Sequence, residues 1–220
     1  MADAPDRQAV LTTLTTEHFT LQGARSQTVS ESASRSSLYL FSVSSTLVAL
    51  GFVTQVSQAG EVFQLFALTV LPTLYFLGLS TFTRLVESSV EDIVYGRAIN
   101  RIRHYYLELA GADARYFMLL ANDDGPGVIR NMGLAAGSRW QLLFTAASTV
   151  SVVNGVVGAG AVAILLGVTL ELPLAVAAIA GAAFLVLSVV LSMRFDRRRH
   201  EQSGGFDEAL FPSPARPTGG

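Results

Sequence analysis

Three histidines, His18, His104 and His200, are the chain's candidates for acid–base or metal chemistry, because imidazole titrates near neutrality and is the commonest metal ligand. They are far apart in sequence and fit neither H-x-x-E-H nor H-E-x-x-H. His104 stands one helical turn before Glu108, a spacing that reads as a solvated pair. Asp123-Asp124-Gly125 has the carboxylates of a cation loop but lacks the spacing and closing Glu of an EF-hand. The longer run Asn122-Asp123-Asp124-Gly125-Pro126-Gly127 reads as a turn-rich loop. The chain has no cysteine, which excludes disulfides, thiolate catalysis and Cys-based metal sites. It has no P-loop and no G-x-G-x-x-G ahead of a helix. With nucleophile, base and metal signatures all missing, the expectation is a non-enzymatic protein without a cofactor.

The remaining polar chemistry is uncharged. Ser30, Ser37, Ser44, Gly51 and Gln58 fall one heptad apart, and Ser26, Ser34 and Gln55 lie close to the same row. The other side carries Leu40, Leu47 and Phe52. Two readings stand. Small residues and hydroxyls promote close helix contact, or copies of the helix surround a water-filled pore that Ser30, Ser37, Ser44, Gly51 and Gln55 line. A heptad period keeps one face toward a supercoil axis in either case. A second row, Ala147, Ser151, Gly155, Ala159, Ala163 and Gly167, is spaced by four and reads as a helix-packing face. Ala177 with Gly181 and Ala178 with Ala182 offer similar pairs. Asn154 stands beside the second row, either bonded to a neighbouring helix or facing a polar cavity.

These rows belong to elements that the charge pattern defines. Of the 220 residues only 15% are charged, against about 25% in an ordinary soluble domain. The stretches 36–60, 62–83, 140–170 and 172–193 contain no Asp, Glu, Lys or Arg. All the charges sit in the other 120 residues, at about 27%, the density of a soluble surface. This excludes a plain globular enzyme and a disordered chain. A helix needs about 20 apolar residues to cross a bilayer. The expected fold is therefore all-α and polytopic: four transmembrane helices at 36–60, 62–83, 140–168 and 172–193, paired as two hairpins by short linkers. Pro72 is expected to kink the second.

Orientation follows from arginine, since the chain has 15 basic residues and no lysine. Every arginine falls in 1–35, 84–139 or 194–220, and each hairpin tip holds one acid, Glu61 or Glu171. Basic residues stay on the cytoplasmic side, so both termini and the middle segment are expected there, in a bacterial plasma membrane. No cleavable signal is expected in 1–35, where Asp3 and Asp6 replace a basic start. That N-terminal segment is expected to be helical. Segment 84–110 is expected to extend the second span as a helix. Its stripe Tyr95, Ile99, Ile102, Tyr106 and Leu109 recurs at 4-3-4-3 spacing, with Arg97, Arg101, His104 and Glu108 opposite and Gly111 as the end. The stripe is expected to pack within the chain, with the bilayer surface and a neighbouring subunit as alternatives. Residues 113–121 read as a short helix burying Tyr116, Phe117, Leu119 and Leu120. Val128–Leu134 reads as a further helical turn, Trp140 as an interfacial anchor, and the Gly-, Pro- and Ser-rich tail as disordered. Arg197-Arg198-Arg199 reads as the stop-transfer signal.

Glu17-His18-Phe19-Thr20-Leu21-Gln22-Gly23-Ala24-Arg25-Ser26 followed by Ser36-Ser37-Leu38-Tyr39-Leu40 resembles a family of bacterial four-helix membrane proteins. Ile102-Arg103-His104-Tyr105-Tyr106-Leu107-Glu108 and Asn122-Asp123-Asp124-Gly125 do so as well. The likeness covers most of the chain and implies a fold but no activity. In topology alone, a hairpin followed by a helix is similar to the SLATT-type domains proposed as pore-forming effectors in bacterial conflict systems, which implies pore formation. The functional expectation is a non-enzymatic integral membrane protein that self-associates as a homo-oligomer; its sharper form is an oligomer that encloses a pore lined by the serine face. The alternative is a membrane scaffold or sensor that binds a cytoplasmic protein partner. A net charge of −2 gives no basic excess of the kind that marks a nucleic-acid binder.

Overall fold

The computed structural model describes residues 6–58, 60–133, 145–203 and 208–214. Regular structure among them is entirely helical. Helix α1 is Arg7–Ser57 and α2 is Glu61–Ala110, followed by a 3-10 turn at Gly111–Tyr116. Then come α3 (Gly125–Asn131), α4 (Ala146–Thr169) and α5 (Leu174–Ser203). Four of them, α1, α2, α4 and α5, are long and apolar enough to cross a membrane. Trp140, expected to anchor the start of the third span, lies outside the described residues.

Helices α1 and α2 contain 51 and 50 residues, about 75 Å each at 1.5 Å per residue. A bilayer crossing uses less than half of that. The expected N-terminal segment and first span form one unbroken helix, and 84–110 continues the second span without a joint. Pro72 sits inside α2 without ending it, as membrane-type helices allow. Thr12, Thr13, Thr16 and Thr20 donate their hydroxyls to carbonyls four residues back, so the helix itself satisfies them. Gly111, at φ +53°, closes α2 in the left-handed conformation that glycine adopts without a Cβ penalty. Gln58 and Glu171 take the same conformation at the two hairpin tips.

The chain divides into two compact units, 1–30 with 88–141 and 201–220, and 31–87 with 142–200. The second unit contains the four apolar segments. Its core joins Tyr39 and Val43 of α1, Ala67, Leu71, Leu74, Phe82, Leu85 and Val86 of α2, and Val150 and Val157 of α4. Helix α5 joins by small residues: Ala177, Gly181, Ser188 and Ser192 are its buried positions. A Cβ on Gly181 would stand 2.7 Å from the Ala159 carbonyl oxygen, so backbone approaches backbone there. Phe41, Phe52, Leu65, Phe76, Ile179 and Val186 remain exposed, an apolar exterior suited to hydrocarbon. Charges gather at one end of these segments, where Arg84 pairs with Glu87 at 2.8 Å and with Glu31 at 3.5 Å. Arg35 pairs with Glu31 at 2.7 Å.

In the first unit, Arg25 of α1 grips Asp92 of α2 through two hydrogen bonds of 2.6 and 3.1 Å, the strong bidentate form. Ile99 and Ile102 of the expected stripe are buried, Tyr95 and Tyr106 are half-buried and Leu109 is exposed. The His18 ring of α1 meets the Tyr106 ring at 5.6 Å. Helix α3 lays the fully buried Val128 against Gly96.

Two segments differ from the sequence expectation. Residues 113–121 form no α-helix: the 3-10 turn gives way to irregular chain, and Tyr116, Phe117, Leu119 and Leu120 are exposed, as is Met118 at 92%. Asn131 explains the extended path, because its side chain bonds both the N–H and the carbonyl of Leu120 at 2.9 Å, replacing helical partners. The tail is not wholly irregular: α5 runs ten residues past the apolar span to Ser203, and residues 208–214 hydrogen-bond to the Asn122–Asp124 loop. The Arg97–Arg101–His104 face, opposite the apolar stripe, is covered by that same loop and segment.

Gly181→Ala is expected to destabilise the fold by about 1–3 kcal/mol, because the added methyl meets rigid backbone. Gly160→Ala, with open space around the site, is expected to be neutral or slightly stabilising. Thermal unfolding of both variants in one detergent checks the contrast.

Candidate functional site

Ser37, Ser44, Gly51 and Gln55 lie on the exposed side of α1, and so does Ser30 nearer its start. None of them packs into the chain's own interior. The buried side of the helix is set by Tyr39 and Val43, two residues after Ser37 and one before Ser44. The Ser44 hydroxyl donates to the Leu40 carbonyl at 3.0 Å, which lowers the cost of placing it among apolar neighbours while leaving its lone pairs outward. Nothing stands within 4 Å of a Cβ built on Gly51. Leu40, Leu47 and Phe52 are exposed too, so hydroxyls and large apolar groups share one outer face.

The α4 row lies differently. Ser151 and Gly155 are buried, while Ala147, Ala159, Ala163 and Gly167 are half-buried. Gly155 faces Leu185 of α5 at 2.7 Å from an ideal Cβ. Asn154 is 2% exposed and accepts a 2.9 Å hydrogen bond from the Tyr39 hydroxyl. The same amide and hydroxyl fill the space where a side chain on Gly78 would go. One buried polar node therefore ties α1, α2 and α4 together. The buried Ser151 hydroxyl has no hydrogen-bond partner among the described residues.

The densest polar site was read from the sequence as a mere turn. Asp124 caps α3, accepting from the Gly127 N–H at 2.8 Å, as an aspartate at a helix start does. Asp123 is completely buried. Its carboxylate accepts from Arg101 Nε at 2.7 Å, from the Phe211 N–H at 2.8 Å and from the Leu210 N–H at 3.2 Å. Asp124 accepts from the Ser213 N–H at 2.7 Å and the Ser213 hydroxyl at 2.8 Å. In return the Asp123 N–H donates to the Phe211 carbonyl, and the Asn122 amide donates to the carbonyls of Phe211 and Pro212. Arg97 and Asn100 of α2 hold the loop through the Asp123 and Asn122 carbonyls, each at 2.8 Å. His104 stacks on the Phe211 ring, with centroids 3.5 Å apart and planes 12° apart. The only sequence signal was the strong loop chemistry of Asn122–Gly127. Nothing local marks Phe211 or Ser213, because their partners lie almost 90 residues away.

This arrangement holds residues 210–213 of the same chain largely through their backbone. His104, stacked on Phe211, also lies 3.6 Å from Glu108 through its Nε2, and among the described residues no group of three or more His, Asp and Glu could hold a metal ion. Burial raises the pKa of Asp123 and of Asp124, but the donated hydrogen bonds outweigh it and hold both below the usual carboxylate range.

Asn154→Ala strands the buried Tyr39 hydroxyl and is expected to cost about 1–2 kcal/mol. Ser151→Ala removes an unpaired hydroxyl and is expected to cost nothing. Unfolding midpoints of the two variants measure this. Because the two carboxyls are depressed in the folded state, their stabilisation of the 208–214 contact is complete above about pH 4, the ordinary carboxylate value. It is lost as pH falls through the depressed values. A nitroxide on Leu210→Cys, in a chain with no other cysteine, is expected to be immobile at pH 7 and mobile in acid. Asp123→Asn should mobilise it at pH 7.

Comparison with known protein families, with curated proteins and with solved structures finds no match to this chain.

Proposed function

We propose that the chain is a non-enzymatic integral protein of a bacterial plasma membrane that self-associates through the outer face of α1. In this reading both termini and segment 84–139 are cytoplasmic, in keeping with arginine on one side of every apolar segment and none at the hairpin tips. The oligomer encloses a pore lined by Ser37, Ser44 and Gln55, with Gly51 permitting close approach of neighbouring copies and Ser30 at the cytoplasmic entrance.

One observation carries the reading. The heptad row of α1 points away from its own unit, whereas Ser151 and Gly155 of α4 and Ala177 and Gly181 of α5 are buried within it, and of the small-residue pairs only Ala178–Ala182 of α5 is exposed. A polar row facing lipid alone has no purpose that an apolar row would not serve better. Facing a second copy, it allows close packing; around an axis, it wets a channel. Asn154 is engaged with Tyr39, so the lining falls to α1 alone.

Ser44→Cys tests the contact, since the chain offers no other thiol. Oxidation in native membranes is expected to give a cross-linked dimer, and native mass spectrometry a closed assembly of four or more subunits. A monomer with no cross-link overturns self-association. Reconstituted bilayers should conduct, and Ser44→Leu should reduce that conductance at least tenfold. An oligomer that never conducts, or one indifferent to Ser44→Leu, sinks the pore while leaving self-association standing.

A further inference from the structure

The contact between residues 208–214 and the Asn122–Asp124 loop has the pattern of a receptor with its ligand. Two adjacent carboxylates meet the backbone N–H groups of Leu210, Phe211 and Ser213. The position they skip is Pro212, which has no N–H to offer. The Asn122 side-chain amide and the Asp123 N–H take up the facing carbonyls, so the segment is held along the loop by its backbone groups, mostly through the loop's side chains. Two side chains are read: the Phe211 ring on His104 and the Ser213 hydroxyl on Asp124. Leu210 is not read, being 63% exposed. The receptor side is held independently of the segment, by Arg97 and Asn100 on the loop carbonyls and by the Asp124 cap on α3.

We infer that this surface is a peptide-recognition site for extended segments of Phe-Pro-Ser sequence, occupied in the resting chain by its own residues 208–214. The inference goes beyond the self-association reading and does not depend on it. As part of the same chain, the segment competes for the site intramolecularly. A free peptide therefore meets a blocked site in the native chain and an open one when the resident segment is disabled.

The probe is a fluorescent, end-capped peptide of residues 208–214, titrated against full-length protein in detergent by anisotropy. A full-length variant carrying Phe211→Ala and Ser213→Asp is expected to bind it at least tenfold more tightly than the native chain. A peptide with Ser213→Asp, which sets a carboxylate against Asp124, should bind that variant at least tenfold more weakly. No binding by a variant with native circular dichroism overturns the site, as does equal binding of the two peptides. Independently of any variant's folding, excess unlabelled peptide should mobilise a nitroxide at Leu210→Cys in the otherwise native chain. A spectrum unchanged at ten millimolar peptide overturns the inference as well.

Discussion

A polar group shut away from water must find its partner inside the protein, and the buried node of Tyr39, Asn154 and Gly78 shows how this chain meets that requirement. The Asn154 amide is buried deep in α4, and the Tyr39 hydroxyl reaches it from α1 because residue 78 of α2 has no side chain. Three helices must stand in one register for that bond to form. The Leu71, Leu74, Val150 and Val157 packing around it is non-directional and would tolerate sliding; the hydrogen bond does not. Helix α5 then closes on α4 through Gly181 and Gly155, where dispersion and close backbone approach supply the attraction.

The same demand for partners shapes the other unit in a different way. There Asp123 is completely buried, and burial alone would raise its pKa. Arg101 and two backbone amides from 210 and 211 keep it ionised. A buried carboxylate with a guanidinium and two N–H groups is sensitive to the loss of any one of them. Docking of the 208–214 segment is thereby tied to the ionisation of this loop. Helices α1 and α2 belong to both units, since each is a single helix more than twice the length a membrane requires.

Exposure separates the two small-residue rows that look alike in sequence. The row of α4 is buried at Ser151 and Gly155 and half-covered elsewhere, while the row of α1 is exposed. Spacing gives each a face, and a face has no label for what it meets. Tyr116 to Leu120 makes the converse point: an apolar run that reads as core is exposed, because Asn131 claims the Leu120 backbone and draws the chain out of helix.

Four membrane-length apolar helices were legible from charge and hydropathy, since these depend only on local composition. So were the helical extension to Ala110, with its buried Ile99 and Ile102, and the glycine that ends it, since periodicity and the cost of a Cβ at positive φ are properties of neighbouring residues. Contacts between distant residues were not legible. The Tyr39–Asn154 bond spans 115 positions, and Asp123 meets Phe211 across 88. Neither type nor spacing encodes such pairings; they arise only when packing brings the helices and the tail together. Asn122-Asp123-Asp124-Gly125 was thus readable as a turn, while its role as the seat of a peptide required the tertiary structure, because a backbone amide carries no signature in the sequence.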